Sequence, residues 1–193
     1  MSIRAKLLII VVVQTAVLIA MIGIKQWTLN MGTEVVLETT PIDPRSLFRG
    51  DYVRLGYKAG TLRAEDFPKV AEVKRHDRVY VVLKKGEPFW QPEAIHLEWP
   101  EEMAQGRVVL RGEVEHISDT LWNPQTRKPE KIKHIQVRYG IENYFVPEGK
   151  GRELEQPREG ETVSILLAVD SCGRAGIKAV LVNGKPRYAE KLL

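Results

Sequence analysis

The chain has 193 residues, 44% hydrophobic, 28% charged and 7% aromatic, with 15 Gly and 11 Pro, a globular composition that excludes disorder and collagen-like architecture. A formal charge of +4, spread along the chain, provides no basic face of the kind nucleic acid requires, so no nucleic-acid partner is expected. The single cysteine, Cys172, excludes an internal disulfide and every multi-thiolate metal cluster.

Leu7 to Ile24 reads LLIIVVVQTAVLIAMIGI, uncharged, with Gln14 and Thr15 as polar interruptions. As a helix rising about 1.5 Å per residue it reaches roughly 27 Å, close to a hydrocarbon core of about 30 Å. Trp27 follows, where an indole suits the membrane interface. The competing reading is a cleaved signal peptide, whose apolar region runs about 7–15 residues before a small-x-small triplet. This run is longer, and Met21 to Trp27 holds no such triplet, so a retained anchor contacting membrane lipid through Leu7–Ile24 is expected. Arg4, Lys6 and the amino terminus precede the run and Lys25 alone follows closely, which places the N-terminus in the cytoplasm. No second apolar run is long enough to span. The expected organisation is a cytoplasmic tail and single-pass anchor over residues 1–27, then an extracytoplasmic β domain over 28–193.

Short β-branched runs follow the anchor. Glu34–Thr39 ends at Thr40-Pro41; Asp51–Tyr57 alternates, with Val53, Leu55 and Tyr57 on one face. Arg78–Leu83 closes at a Lys85–Pro88 turn, and Ala94–Trp99, Arg107–His116, Lys133–Tyr139 and Thr162–Asp170 read as further strands. Asn183-Gly184 between Gly176–Val182 and Lys185–Leu192 predicts a hairpin, because both turn residues tolerate positive φ. Arg63–Val73 is the one helical candidate, interrupted by Pro68, and Asn123–Lys131 reads as an exposed loop. The fold class expected is mainly β: a transmembrane helix, then a β-sandwich or barrel-like exported domain, with two lobes as a variant. A Gly-acid-x-Val echo between Gly50–Val53 and Gly160–Val163 fits either a duplication or chance similarity.

Gly50-Asp51-Tyr52-Val53-Arg54-Leu55-Gly56-Tyr57 matches throughout the pattern from which the GDYxxLxY protein family takes its name. Two later blocks resemble the same family in the same order: Tyr139 to Gly151, followed by Glu153-Leu154-Glu155, and Gly173 to Lys178 leading to Val182–Lys185. Cys172 and Ala175 depart from the residue types expected there, which weakens a shared polar role for that turn. The resemblance implies a bacterial membrane-anchored protein, placed in the cytoplasmic (inner) membrane with its C-terminal domain outside. It carries no catalytic residues across.

Two blocks supply the candidate residues. In the first, Pro41 and Pro44 fix an extended lead-in, Gly50 permits the turn, and Asp51 can accept backbone N–H groups. Asp43, Arg49, Gly50, Asp51, Tyr52 and Tyr57 either lock that turn or form a binding surface. In the second, Glu142 stands among Tyr139, Tyr144 and Phe145, and Glu148 sits in a Pro-Glu-Gly turn. A carboxylate among aromatics can be desolvated into an acid catalyst; the alternative is a Glu that pairs with an Arg or caps a turn. If the two blocks form one unit, a hydrogen bond or salt bridge should join Arg45–Tyr57 to Tyr139–Glu155. His76, His96, His116 and His134 occur singly and no phosphate-cradling glycine motif is present, so neither metal nor cofactor is expected.

The function expected from these features is a tethered binding or accessory module for another membrane or periplasmic protein, since an anchor raises effective concentration at the membrane. The alternative is a serine hydrolase. Pro44–Val53 is similar to the strand lead-in of type I signal peptidases, which would make Ser46 the nucleophile. The match places Pro41 nearest the nucleophile position, and no strand carries an obvious desolvated lysine, since Lys84 and Lys85 end theirs.

Overall fold

The computed structural model describes residues 2–40, 52–123, 128–145 and 160–189. The apolar run lies within a single helix, α1 (Ile3–Met31), 29 residues or about 43 Å long. Ser2 caps it, its Oγ accepting the Ala5 N–H at 3.3 Å. Among the described residues α1 alone is long and apolar enough to cross a membrane, and its most apolar stretch is wholly unburied. The helix runs seven residues beyond Ile24, and those turns do different work. Thr28 and Leu29 are buried against the β domain, Leu29 only 2% exposed. Gly32 then breaks into extended backbone, its N–H closing on the Thr28 carbonyl at 3.0 Å. A Cβ there would lie 2.5 Å from that carbonyl oxygen and 2.8 Å from the Val169 nitrogen, so the joint requires glycine.

One five-stranded antiparallel sheet is built on β1 (Thr33–Thr40), with β12 (Val163–Val169), β13 (Ala175–Val182) and β14 (Lys185–Ala189) on one side and β3 (Gly56–Tyr57) on the other. β12 is buried along nearly its whole length, which is why its sequence, VSILLAV, is apolar at successive positions rather than alternating. The second sheet orders β4 (Thr61–Arg63), β10 (His134–Arg138), β7 (Arg107–Ser118), β5 (Arg78–Lys84) and β6 (Gln91–His96), and one of the two sheets curls into a half-barrel. Val35, Leu37 and Leu167 of the first sheet meet Val79, Val81, Leu110 and Ile135 of the second in one core. Two short ladders complete the fold: β2 (Tyr52–Arg54) with β11 (Asn143–Phe145), and β8 (Leu121–Asn123) with β9 (Lys128–Glu130).

The expected hairpin forms, with Asn183 at φ 51° and Gly184 at φ 75°. Other expectations are corrected. Asp51–Tyr57 is not one alternating strand: the chain breaks at Leu55, so β2 joins β11 while β3 joins β1. The strand read as Ala94–Trp99 is Gln91–His96, an edge strand that accommodates Pro92 because an edge leaves a missing N–H unpunished. Arg63–Val73 forms no α-helix; Pro68–Ala71 makes one tight 3₁₀ turn. The loop read over Asn123–Lys131 contains the β9 half of a hairpin. The Gly-acid-x-Val echo has no architectural counterpart, since β12 is a central strand and β2 belongs to a two-stranded ladder.

Candidate functional site

The two motif blocks meet. Arg54, Val53 and Tyr52 pair through their backbones with Asn143, Tyr144 and Phe145. The Leu55 N–H donates to the Glu142 carbonyl at 2.7 Å, and the Tyr57 hydroxyl donates to the Ile141 carbonyl. The Tyr139 hydroxyl donates to the Ala59 carbonyl at 2.6 Å, just past the end of the first block. Burial, reinforced by the Glu142 charge, pushes both phenols well above the usual tyrosine range, so they remain donors at neutral pH. Each bond removes a buried carbonyl that would otherwise cost about 1–3 kcal/mol. The bond expected between the blocks is therefore present, several times over.

Glu142 organises this joint from a turn. Its carboxylate accepts the Tyr139 N–H at 2.6 Å and the Gly140 N–H at 3.0 Å, one oxygen for each. That is a capping role; the carboxylate is committed to backbone donors. Tyr144 is buried in the same core. Asp43, Arg49, Gly50, Asp51 and Glu148, with the alternative nucleophile Ser46, lie outside the described residues.

Beside the joint, the outer face of the second sheet opens as a groove of about 530 Å³. Tyr139, Gly140 and Glu142 form one wall; Arg78, Arg111 and Arg138 reach in from three adjacent strands. Gly112 lies on its floor, where a Cβ would stand 2.3 Å from the Val137 side chain and 3.0 Å from the Arg138 carbonyl. Glu113 takes up Arg138 at 3.4 Å and His76 Nδ1 at 3.0 Å. The His76 hydrogen bond, then the Arg138 charge, hold the Glu113 carboxyl below the usual range. Among the described residues neither the Arg78 nor the Arg111 side chain has a hydrogen-bond or ion-pair partner. Two free guanidiniums beside a neutralised third make a surface suited to anionic groups. These arginines were not among the sequence candidates. Their signal was the polar half of strand alternation, which in one sequence looks like any solvated face.

A third cluster ties the groove to the helix. The Asp170 carboxylate accepts the Thr28 hydroxyl at 3.0 Å, the Cys172 and Arg174 N–H groups at 2.9 Å each, and Arg174 Nε at 2.7 Å. The turn it stabilises presents the Gly173 carbonyl to the Arg111 N–H at 2.8 Å. The strand carrying Arg111 is thus two short steps from the end of α1. Burial alone raises the Asp170 carboxyl, but the bonds from Arg174, Thr28 and Cys172 outweigh it and hold the pKa below the ordinary value. The sequence marks Asp170 only as the end of a strand, and Thr28 not at all. Nothing local marks a threonine at a helix end as a partner for an aspartate 142 positions away.

No group of three or more His, Cys, Asp or Glu among the described residues is placed to hold a metal ion. No curated protein and no solved structure matches the chain. A family model described as GDYXXLXY protein matches residues 14–180, from within the apolar helix through nearly all of β13. That match covers both motif strands, the Glu142 turn and the Asp170 turn, and the chain belongs to the GDYXXLXY protein family.

Proposed function

We propose that this is a single-pass protein of the bacterial cytoplasmic membrane, its N-terminus in the cytoplasm, whose extracytoplasmic β domain serves as a binding module for another membrane protein. The observation that carries the reading is the union of α1 with the domain. Thr28 and Leu29 occupy sites inside the folded domain while the preceding turns are bare apolar surface. A helix built into its domain in this way is suited to being kept, and it holds the groove at a fixed height above the bilayer. Lys25 and Trp27 stand where the helix leaves the apolar stretch, which fits an interfacial position. A groove of about 530 Å³ has the size of a binding cleft. Its polar walls suit a polar ligand, and a tethered domain meets membrane proteins at high effective concentration.

The test is affinity capture of the tagged full chain from detergent-solubilised membranes after crosslinking in intact cells. Recovery of one membrane protein in near-stoichiometric amount is expected. Recovery of none, with the chain itself folded and in the membrane, overturns the reading.

A further inference from the structure

We infer that the groove binds an extended acidic segment of a membrane-protein partner, with Arg78 and Arg111 reading two carboxylate side chains that are two residues apart. The inference deepens the proposed function and rests on it for the source of the segment. Its own support is the register of the second sheet. Arg78 lies opposite Glu113 and Tyr80 opposite Arg111, so Arg78 and Arg111 are diagonal neighbours on one face of the β5–β7 pair. Diagonal neighbours on paired strands are about 7–8 Å apart at Cα. In an extended chain, side chains at i and i+2 project the same way and repeat at about 6.8 Å. The two spacings match. A peptide laid along the groove with acids at alternate positions therefore sets one carboxylate on each free guanidinium, in the fork geometry arginine favours.

Charge placement disfavours a compact multivalent anion. Glu113 stands in the same row as Arg78 and Arg138, and it already takes up Arg138 and His76. A phosphate centred over that row brings about two negative charges against the Glu113 carboxylate, whereas a carboxylate on Arg78 brings one and a carboxylate on Arg111 lies in the next row. The source of the segment follows from position. The Arg111 N–H is bonded to Gly173, and the Asp170 that shapes the Gly173 turn is bonded to Thr28 at the end of α1. The groove strand that carries Arg111 is thus linked through this turn to Thr28, about one helical turn beyond the apolar stretch. A segment reaching it would be the part of a partner just outside the bilayer, where lysine and arginine are sparse.

The experiment uses the purified full chain in detergent micelles and fluorescein-labelled peptides read by anisotropy. One peptide carries glutamates at alternate positions, a second the same glutamates side by side, and a third glutamines throughout; inorganic phosphate and pyrophosphate serve as competitors. The alternating peptide is expected to bind at least about fivefold more tightly than the adjacent one, with affinity falling as salt rises. Arg78→Gln with Arg111→Gln should weaken it by about tenfold or more. Both arginines are exposed, so the thermal midpoint of the double variant should stay with wild type and certify its fold. Equal binding of the two acidic peptides, unchanged binding by the double variant, or displacement of the peptide by phosphate or pyrophosphate at comparable concentration each overturns the inference. Failure of the peptides with a partner still captured from membranes removes the ligand class and leaves the proposed function. Peptide binding without a captured partner does the reverse.

Discussion

Glu142→Ala is the perturbation that most directly probes how the motif blocks hold together. Its carboxylate accepts two backbone N–H groups, from Tyr139 at 2.6 Å in a part-buried position and from Gly140 at 3.0 Å in an exposed one. A hydrogen bond to a charged group is worth about 1.5–3 kcal/mol when its partner cannot turn to water. The Tyr139 bond falls in that class, while the Gly140 donor regains a water and adds a few tenths. Removing the side chain should therefore cost roughly 2–3 kcal/mol, which for a domain of this size lowers the melting temperature by about 5–10 °C. Glu142→Gln keeps an acceptor but loses the charge and one bond, so an intermediate loss is expected. Circular-dichroism melts of the full chain in detergent read both variants. A Glu142→Ala melting temperature within about 2 °C of wild type would refute the claim that this carboxylate organises the joint.

The same joint has an alkaline signature. The Tyr57 and Tyr139 phenols are raised above the ordinary value of about 10, so their stabilisation is complete below pH 10 and is lost above it, about 1.4 kcal/mol per pH unit for each while only the unfolded chain ionises. Tyr57→Phe should make the decline between pH 10 and 11 measurably shallower in denaturant titrations. Asp170 has the opposite sign. Its depressed pKa gives stability that is present above about pH 4 and lost as pH falls through the folded value, and Asp170→Asn should flatten that acid limb while lowering stability at neutral pH. Cys172, exposed in the Asp170 turn, should react with a membrane-impermeant maleimide in spheroplasts without detergent. Labelling only after permeabilisation would reverse the proposed topology.

Much of this was legible in the residues because the signals were local. An unbroken apolar run gives a helix, Asn183-Gly184 gives a hairpin, and β-branched runs give strands, each from nearest-neighbour chemistry. The motif strand misled because Asp51–Tyr57 alternates well enough for one strand, and only pairing reveals that Leu55 separates two ladders. Tyr57, Tyr139 and Glu142 stood out as residues, yet their roles depend on contacts 80 or more positions apart for the two phenols. Arg78 and Arg111 were invisible for a different reason. An exposed arginine on a strand becomes part of a site only through the register that sets its neighbours.

The central claim is that the face carrying the groove meets another protein at the membrane. Site-specific photocrosslinking in living cells tests it most directly, with a benzophenone side chain placed at the exposed groove residue Asn143, which leaves both free arginines in place, and, for comparison, at the exposed Lys185 on the other sheet. A discrete adduct between the full chain and a membrane protein is predicted from position 143 and none from position 185. No adduct from position 143, or the same adduct from both positions, would contradict the claim.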